Sequence, residues 1–73
     1  MKITYDKKVD AMYIKLRKGR YDHSKKVTDD ILVDVTKKGE VLGLEILDAS
    51  RNIGKVKPEK VAVEFMGLPL AVI

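Results

Sequence analysis

The chain has no cysteine, no tryptophan and no glutamine, and only one histidine and one asparagine. Without cysteine there are no disulfides, no thiolate metal ligands and no thiol nucleophiles. A single imidazole, His23, excludes a multi-histidine metal centre within one chain. Three Tyr and one Phe supply few stacking surfaces for nucleobases. Long apolar runs are also missing, and nothing approaches the roughly 18 residues a spanning helix needs. Met1 is followed by Lys-Ile-Thr-Tyr-Asp, which is too polar for a signal-peptide core. These absences lead us to expect a cytoplasmic protein with no membrane segment, and a cysteine-free chain suits a reducing compartment. Scarce amides and 36% charged residues follow the thermophile tendency toward Lys and Glu.

At 73 residues, a single domain spanning 1–73 is expected. A chain this short buries only about 60% of its unfolded surface, so a lone core is marginal. Disulfides are excluded and no metal site is evident, which leaves oligomerisation as the remaining support.

The net charge of +4 conceals an uneven distribution. Residues 15–26 carry Lys15, Arg17, Lys18, Arg20, Lys25 and Lys26 against Asp22 alone. Residues 27–48 carry six acids against Lys37 and Lys38. The molecule reads as bipolar, with one basic loop.

Period-2 alternation dominates what is present and argues for strands with one buried face. Ile3 and Tyr5 alternate with Lys2 and Thr4, and Asp6-Lys7-Lys8 reads as a turn. Met12, Ile14 and Leu16 mark a second strand, and polar residues 18–26 a long loop. Ile31, Val33 and Val35 mark a third strand. Lys37-Lys38-Gly39-Glu40 is a hairpin connection, and Leu42, Leu44 and Ile46 mark a fourth strand. Residues 48–52 suggest a helical turn, with Asp48 or Ser50 available to cap it. Val61, Val63 and Phe65 fall on one face only at period 2, which favours a fifth strand, although Pro58-Glu59 is also a good helix start. The fold class expected is mainly β, α+β at most: an antiparallel meander of four to five short strands, with one short helical turn after the fourth. One face then carries eleven side chains from Ile3 to Ile46 and must be covered. Leu70-Ala71-Val72-Ile73 is apolar on both sides. We therefore expect a homodimer, with Leu70, Val72 and Ile73 at its interface.

Several constellations bear on chemistry. Asp6 and Asp10 flank the first turn and could share a proton or bind a divalent cation, but the plainer reading is that Asp6 stabilises the turn and Asp10 starts the next strand. Asp34 and Glu45 fall on the face opposite the core and could cluster with Asp29, Asp30 and Asp48; a solvated face is the plainer reading. Gly43 leaves a gap beside Glu45, suited to a bulge or to a ligand lying close to the backbone. Asp22, His23 and Ser24 are adjacent in sequence, which is not how a catalytic triad is assembled. No catalytic set, metal site or cofactor site is expected. Lys15, Arg17, Lys18, Arg20, Lys25 and Lys26, with Tyr21 among them, are the candidate phosphate or nucleic-acid contacts. A solvated loop is again the plainer reading, since no phosphate loop or nucleic-acid motif accompanies them.

Met1-Lys-Ile-Thr-Tyr-Asp, Val9-Asp10-Ala11-Met12-Tyr13-Ile14-Lys15-Leu16, Asp30-Ile31-Leu32-Val33-Asp34-Val35 and residues Gly39 to Ser50 together resemble a small prokaryotic family, domain of unknown function 2283. The resemblance covers roughly residues 1–50, and Gly43-Leu44-Glu45-Ile46-Leu47-Asp48-Ala49-Ser50 is its most specific part. The family carries no established activity, so the resemblance assigns no functional residue. Some relatives resemble small partner genes of toxin–antitoxin pairs. The functional expectation is a non-enzymatic protein-interaction module, antitoxin-like in one form. Nucleic-acid binding through residues 15–26 is the alternative.

Overall fold

The structure is a computed structural model that describes residues 1–67. The sequence-predicted interface residues Leu70, Val72 and Ile73 lie outside the described residues. Five strands form one antiparallel sheet: β1 (Lys2–Asp6), β2 (Ala11–Lys15), β3 (His23–Lys26), β4 (Ile31–Val35) and β5 (Val41–Ile46). A short helix, α1 (Ala49–Ile53), and a single 3₁₀ turn, Pro58–Lys60, follow. The mainly β class with a short helix after the Leu42–Ile46 strand is thus as expected.

Two details differ from the sequence expectation. Residues 23–26, expected as loop, are β3, and they pair with β4 in the register His23↔Val35 to Lys26↔Leu32. Residues 61–65, expected as a strand, have no strand partner, so β3 supplies the fifth strand instead. The reason is physical. A strand is defined by backbone pairing, which polar His-Ser-Lys-Lys satisfies against β4 and Val-Ala-Val-Glu-Phe does not satisfy among the described residues.

Strand order also departs from a simple meander. It runs β1-β2-β5-β4-β3, with β5 between the two strands that a meander would place side by side. Residues 16–22 make this order by crossing the end of the sheet. The Leu16 and Arg17 N–H groups donate to Leu42 O at 2.8 and 3.2 Å, and Asp22 N–H donates to Val35 O at 2.9 Å. Gly19 packs closely in this crossing: a Cβ there would stand 2.5 Å from Leu42 Cδ2, so a larger residue would require the buried Leu42 side chain to move.

The hairpins follow local chemistry. Asp6 Oδ1 accepts from Lys8 N–H at 2.9 Å in the β1–β2 turn. Gly39 takes φ +88° in the β4–β5 connection, where its N–H donates to Thr36 O at 2.9 Å.

Register assigns the two faces. Directly opposed pairs Thr4↔Tyr13, Tyr13↔Glu45 and Leu32↔Glu45 share one face, and Lys15↔Gly43 and Asp34↔Gly43 continue it. The other face carries Ile3, Tyr5, Met12, Ile14, Ile31, Val33, Leu44 and Ile46. This apolar face agrees with the alternation read from sequence. Its best-covered part lies under α1, where Met12, Ile46 and Ala49 form the core with Tyr5, Ile14 and Val56 against them. Val35 and Leu42 are also buried. Across the rest of the face, Ile14, Ile31, Val33 and Leu44 are half-buried and Ile3 is exposed. Among the described residues, no large side chain is completely buried.

Candidate functional site

Polar side chains gather in three places. The first joins the β1–β2 turn to α1. Asp10 sits at φ +53°, a left-handed conformation that Asp tolerates better than most residues. From there its carboxylate accepts from Tyr5 Oη–H at 2.6 Å, from Ser50 Oγ–H at 2.6 Å and from Ser50 N–H at 3.1 Å. Its carbonyl accepts Ala49 N–H at 2.8 Å. The first N–H groups of α1 are therefore capped by a residue 40 positions upstream. Asp48, at the cap position itself, makes no side-chain cap bond. The hydrogen bonds from Ser50 and Tyr5 hold the Asp10 carboxyl below the usual carboxylate range. The same bond raises the Tyr5 hydroxyl above its ordinary value. Sequence reading placed Asp10 at the first turn, and the distant Ser50 carried no local signal of the pairing.

The second cluster centres on Arg51. Its guanidinium pairs with Asp30 and, through Nε at 2.6 Å, with Asp48. The Asn52 side-chain amide donates to Leu47 O at 2.8 Å and to Asp30 Oδ2 at 3.2 Å. Asp30 and Asp48 are thus engaged with Arg51, while Asp29 lies 3.5 Å from Lys26 Nζ. Three of the five acids proposed from sequence as one cluster do not join it.

The remaining two, Asp34 and Glu45, do meet on the polar face. Glu45 is a diagonal neighbour of Asp34, whose directly opposed residue is Gly43. Asp34 is 8% exposed and accepts Ser24 Oγ–H at 2.6 Å. Glu45 is raised above the ordinary carboxyl value, first by a hydrogen bond with Asp34, then by burial and by the Asp34 charge. Tyr13 lies over the gap at Gly43, where a Cβ would meet its hydroxyl and stand 2.6 Å from its Cζ. Burial, then the Asp34 charge and hydrogen bond, raise the Tyr13 hydroxyl as well. The gap inferred from sequence beside Glu45 is therefore filled by this chain's own tyrosine. No group of three or more metal-ligating side chains converges among the described residues.

The structure disperses the sequence-predicted basic residues. Lys15, Arg17 and Lys18 border a shallow hollow with Tyr13, Tyr21 and Asp34. Arg20 borders a neighbouring one with Arg17 and Lys37. Lys25 and Lys26 lie on β3, at the far edge of the strand order, and alternate between its two faces. Arg17 pairs with Glu40 at 3.3 Å and Lys26 with Asp29. His23 Nδ1 lies 2.7 Å from Asp22 Oδ2, and Ser24 bonds to Asp34 instead, so the three do not act as one group. Tyr21 reaches Ser24 through its hydroxyl at 2.9 Å.

Residues 2–50 match the family described as protein of unknown function (DUF2283), and the chain belongs to that family. No curated protein and no solved structure matches the chain. The matched span contains all five strands and the polar links Tyr5–Asp10–Ser50 and Ser24–Asp34, while Arg51, the partner of Asp30, lies one residue beyond it.

Proposed function

We propose that this member of a family without established activity is a non-enzymatic protein-interaction module that works as a homodimer through its apolar sheet face. The observation that carries the proposal is the unfinished core: one sheet, one short helix, and no large side chain completely buried among the described residues. A sheet face of this composition needs a second layer. The chain exposes 6308 Å². A compact protein of its 8.2 kDa mass exposes about 4,500 Å². The difference exceeds the roughly 800 Å² per partner that a standard interface covers. The radius of gyration, 14.0 Å, likewise exceeds the roughly 11 Å of a closed domain of this length.

The polar chemistry supports an interaction role over catalysis. Asp10 caps α1, Arg51 ties α1 to the loop before β4, and Tyr13 with Asp34 fills the polar face at Gly43. Each cluster is engaged in holding elements together. Sedimentation velocity between 1 and 100 μM, a range on the order of ordinary subunit affinities, tests the proposal. A dimer, with concentration-dependent dissociation at the low end, is expected. A well-folded monomer throughout would overturn it. An antitoxin-like role is one form of this reading, and co-expression with the product of a neighbouring small gene would test it. The nucleic-acid alternative draws less support, because the six basic residues do not share one surface. Salt-sensitive retention on DNA or RNA, lost when Lys18, Arg20, Lys25 and Lys26 become Ala, would revive it.

A further inference from the structure

Two exposed apolar surfaces occur in the same molecule and adjoin at one end, where Val61 borders a hollow with Met12 and Val56. One is the sheet face, with Ile14, Val33 and Leu44 half-buried and Ile3 38% exposed. The other is the arm that follows the 3₁₀ turn. Val61, Val63 and Phe65 are 50%, 60% and 61% exposed, and Met66 is 85% exposed. The arm alternates apolar Val61, Val63 and Phe65 with Ala62 and Glu64, the pattern of a strand that buries one side. Val61 N–H still bonds to Pro58 O, and beyond it residues 61–65 make no strand pairing. The arm leaves the molecule beside Met12 and Val56, at the end of the face that α1 already covers.

Resting on the dimer reading above, we propose that residues 61–66 of each protomer lie across the apolar sheet face of a second copy, in reciprocal exchange. A two-fold arrangement satisfies both arms and both faces at once, and because it closes on itself it does not propagate. The dimensions agree. Six extended residues reach about 20 Å. The four strands bearing Ile3, Ile14, Leu44 and Val33 span about 14 Å at ordinary strand spacing. The alternation places the three apolar side chains on the partner's sheet and Glu64 in water.

The natural absence of cysteine makes the test clean. Single substitutions Val63→Cys, Val33→Cys, Ile3→Cys and the polar-face control Thr4→Cys are made in full-length chains. Mixing under mild oxidation is expected to join Val63→Cys protein covalently to one of Val33→Cys and Ile3→Cys protein, since those positions lie about 14 Å apart and one thiol cannot reach both. Mixing Val63→Cys protein with Thr4→Cys protein is expected to give no such product. Phe65→Asp, at an exposed position, is expected to keep the far-ultraviolet circular dichroism spectrum and to weaken dimerisation at least tenfold. A sedimenting dimer with no cross-link from residue 63 to either face position overturns the exchange and leaves the dimer reading intact. A monomer overturns both. An intrachain disulfide in the Val63→Cys/Val33→Cys double variant, in a sample that shows no interchain product, places the arm on its own sheet and also overturns the exchange.

Discussion

Gly43→Ala is the sharpest perturbation of the polar face. Gly43 sits on β5 opposite Lys15 and Asp34, with Tyr13 laid over it. Its backbone has no positive φ, so Ala is not excluded by conformation. The obstacle is space. The new Cβ would stand 2.6 Å from Tyr13 Cζ and 2.8 Å from Ile14 O, both below the 3.0 Å that real Cβ atoms respect. Tyr13 can swing away, but only by leaving Asp34 and Glu45; Ile14 O belongs to the β2 backbone. Overpacking of this kind costs about 1–3 kcal/mol. We expect about 2 kcal/mol in urea unfolding at fixed protomer concentration, or a fall in Tm of about 10 °C at this chain length. The assay is a double-mutant cycle. In a Tyr13→Ala background only the Ile14 O contact remains, so Gly43→Ala is expected to cost about 1 kcal/mol less there. Equal costs in both backgrounds would refute the placement of Tyr13 over Gly43. A neutral Gly43→Ala in the parent would refute the packing of that face altogether.

Three further outcomes follow from the polar clusters and the core. Glu45 holds its proton more tightly in the fold than its ordinary value of 4.5, so its contribution is full below that pH and is lost as pH rises through the raised value. Glu45→Gln is therefore expected to gain about 0.5 kcal/mol at pH 7 over the parent and to flatten the pH profile above 4.5, as read by urea titrations. Asp10 has the opposite sign: its contribution is present above the ordinary value of 3.8 and is lost as pH falls through its lowered value. Asp10→Ala should lower Tm more than Asp10→Asn, which tolerates φ +53° and keeps an acceptor, and the parent-minus-variant difference should shrink in acid. Ala49 is completely buried against Met12 and Ile46, and Ala49→Leu should cost about 2 kcal/mol by overpacking, checked by the same unfolding curves.

The apolar alternation located four strands and the buried face because a one-sided sheet imposes period 2 on its sequence. Three features escaped it for separate reasons. β3 is His-Ser-Lys-Lys, an edge strand whose lysines suit an unpaired flank, so nothing apolar announces it. The placement of β5 between β2 and β4 depends on the crossing of residues 16–22, a long-range choice that short-connection logic does not contain. Residues 61–65 carry a strand pattern without a strand, because the pattern records a demand for apolar cover and not the chain that supplies it. The acidic face was legible only in part. Asp34 and Glu45 were placed by alternation, whereas Asp30 and Asp48 were claimed by Arg51, whose reach across 21 residues is set by the docking of α1.

The residues that carry the family resemblance bear on where function lies. Tyr5, Asp10, Ala49 and Ser50 are joined in a single link between the first hairpin and α1. Gly43 and Glu45 belong with Tyr13 and Asp34 on the polar face. The most specific part of the signature therefore fixes α1 over one end of the sheet and, at Gly43, leaves room on the opposite face for Tyr13. What it leaves open is the apolar surface between Ile3 and Val33, together with the arm after residue 60, which lies beyond the matched span of 2–50. On the proposed dimer reading, a sheet whose one end is covered by α1 and whose apolar face stays open presents that face to a second copy. On this reading the arm after residue 60 supplies what is particular to this chain, and chains sharing residues 2–50 but differing after them should pair through the same face with different covers.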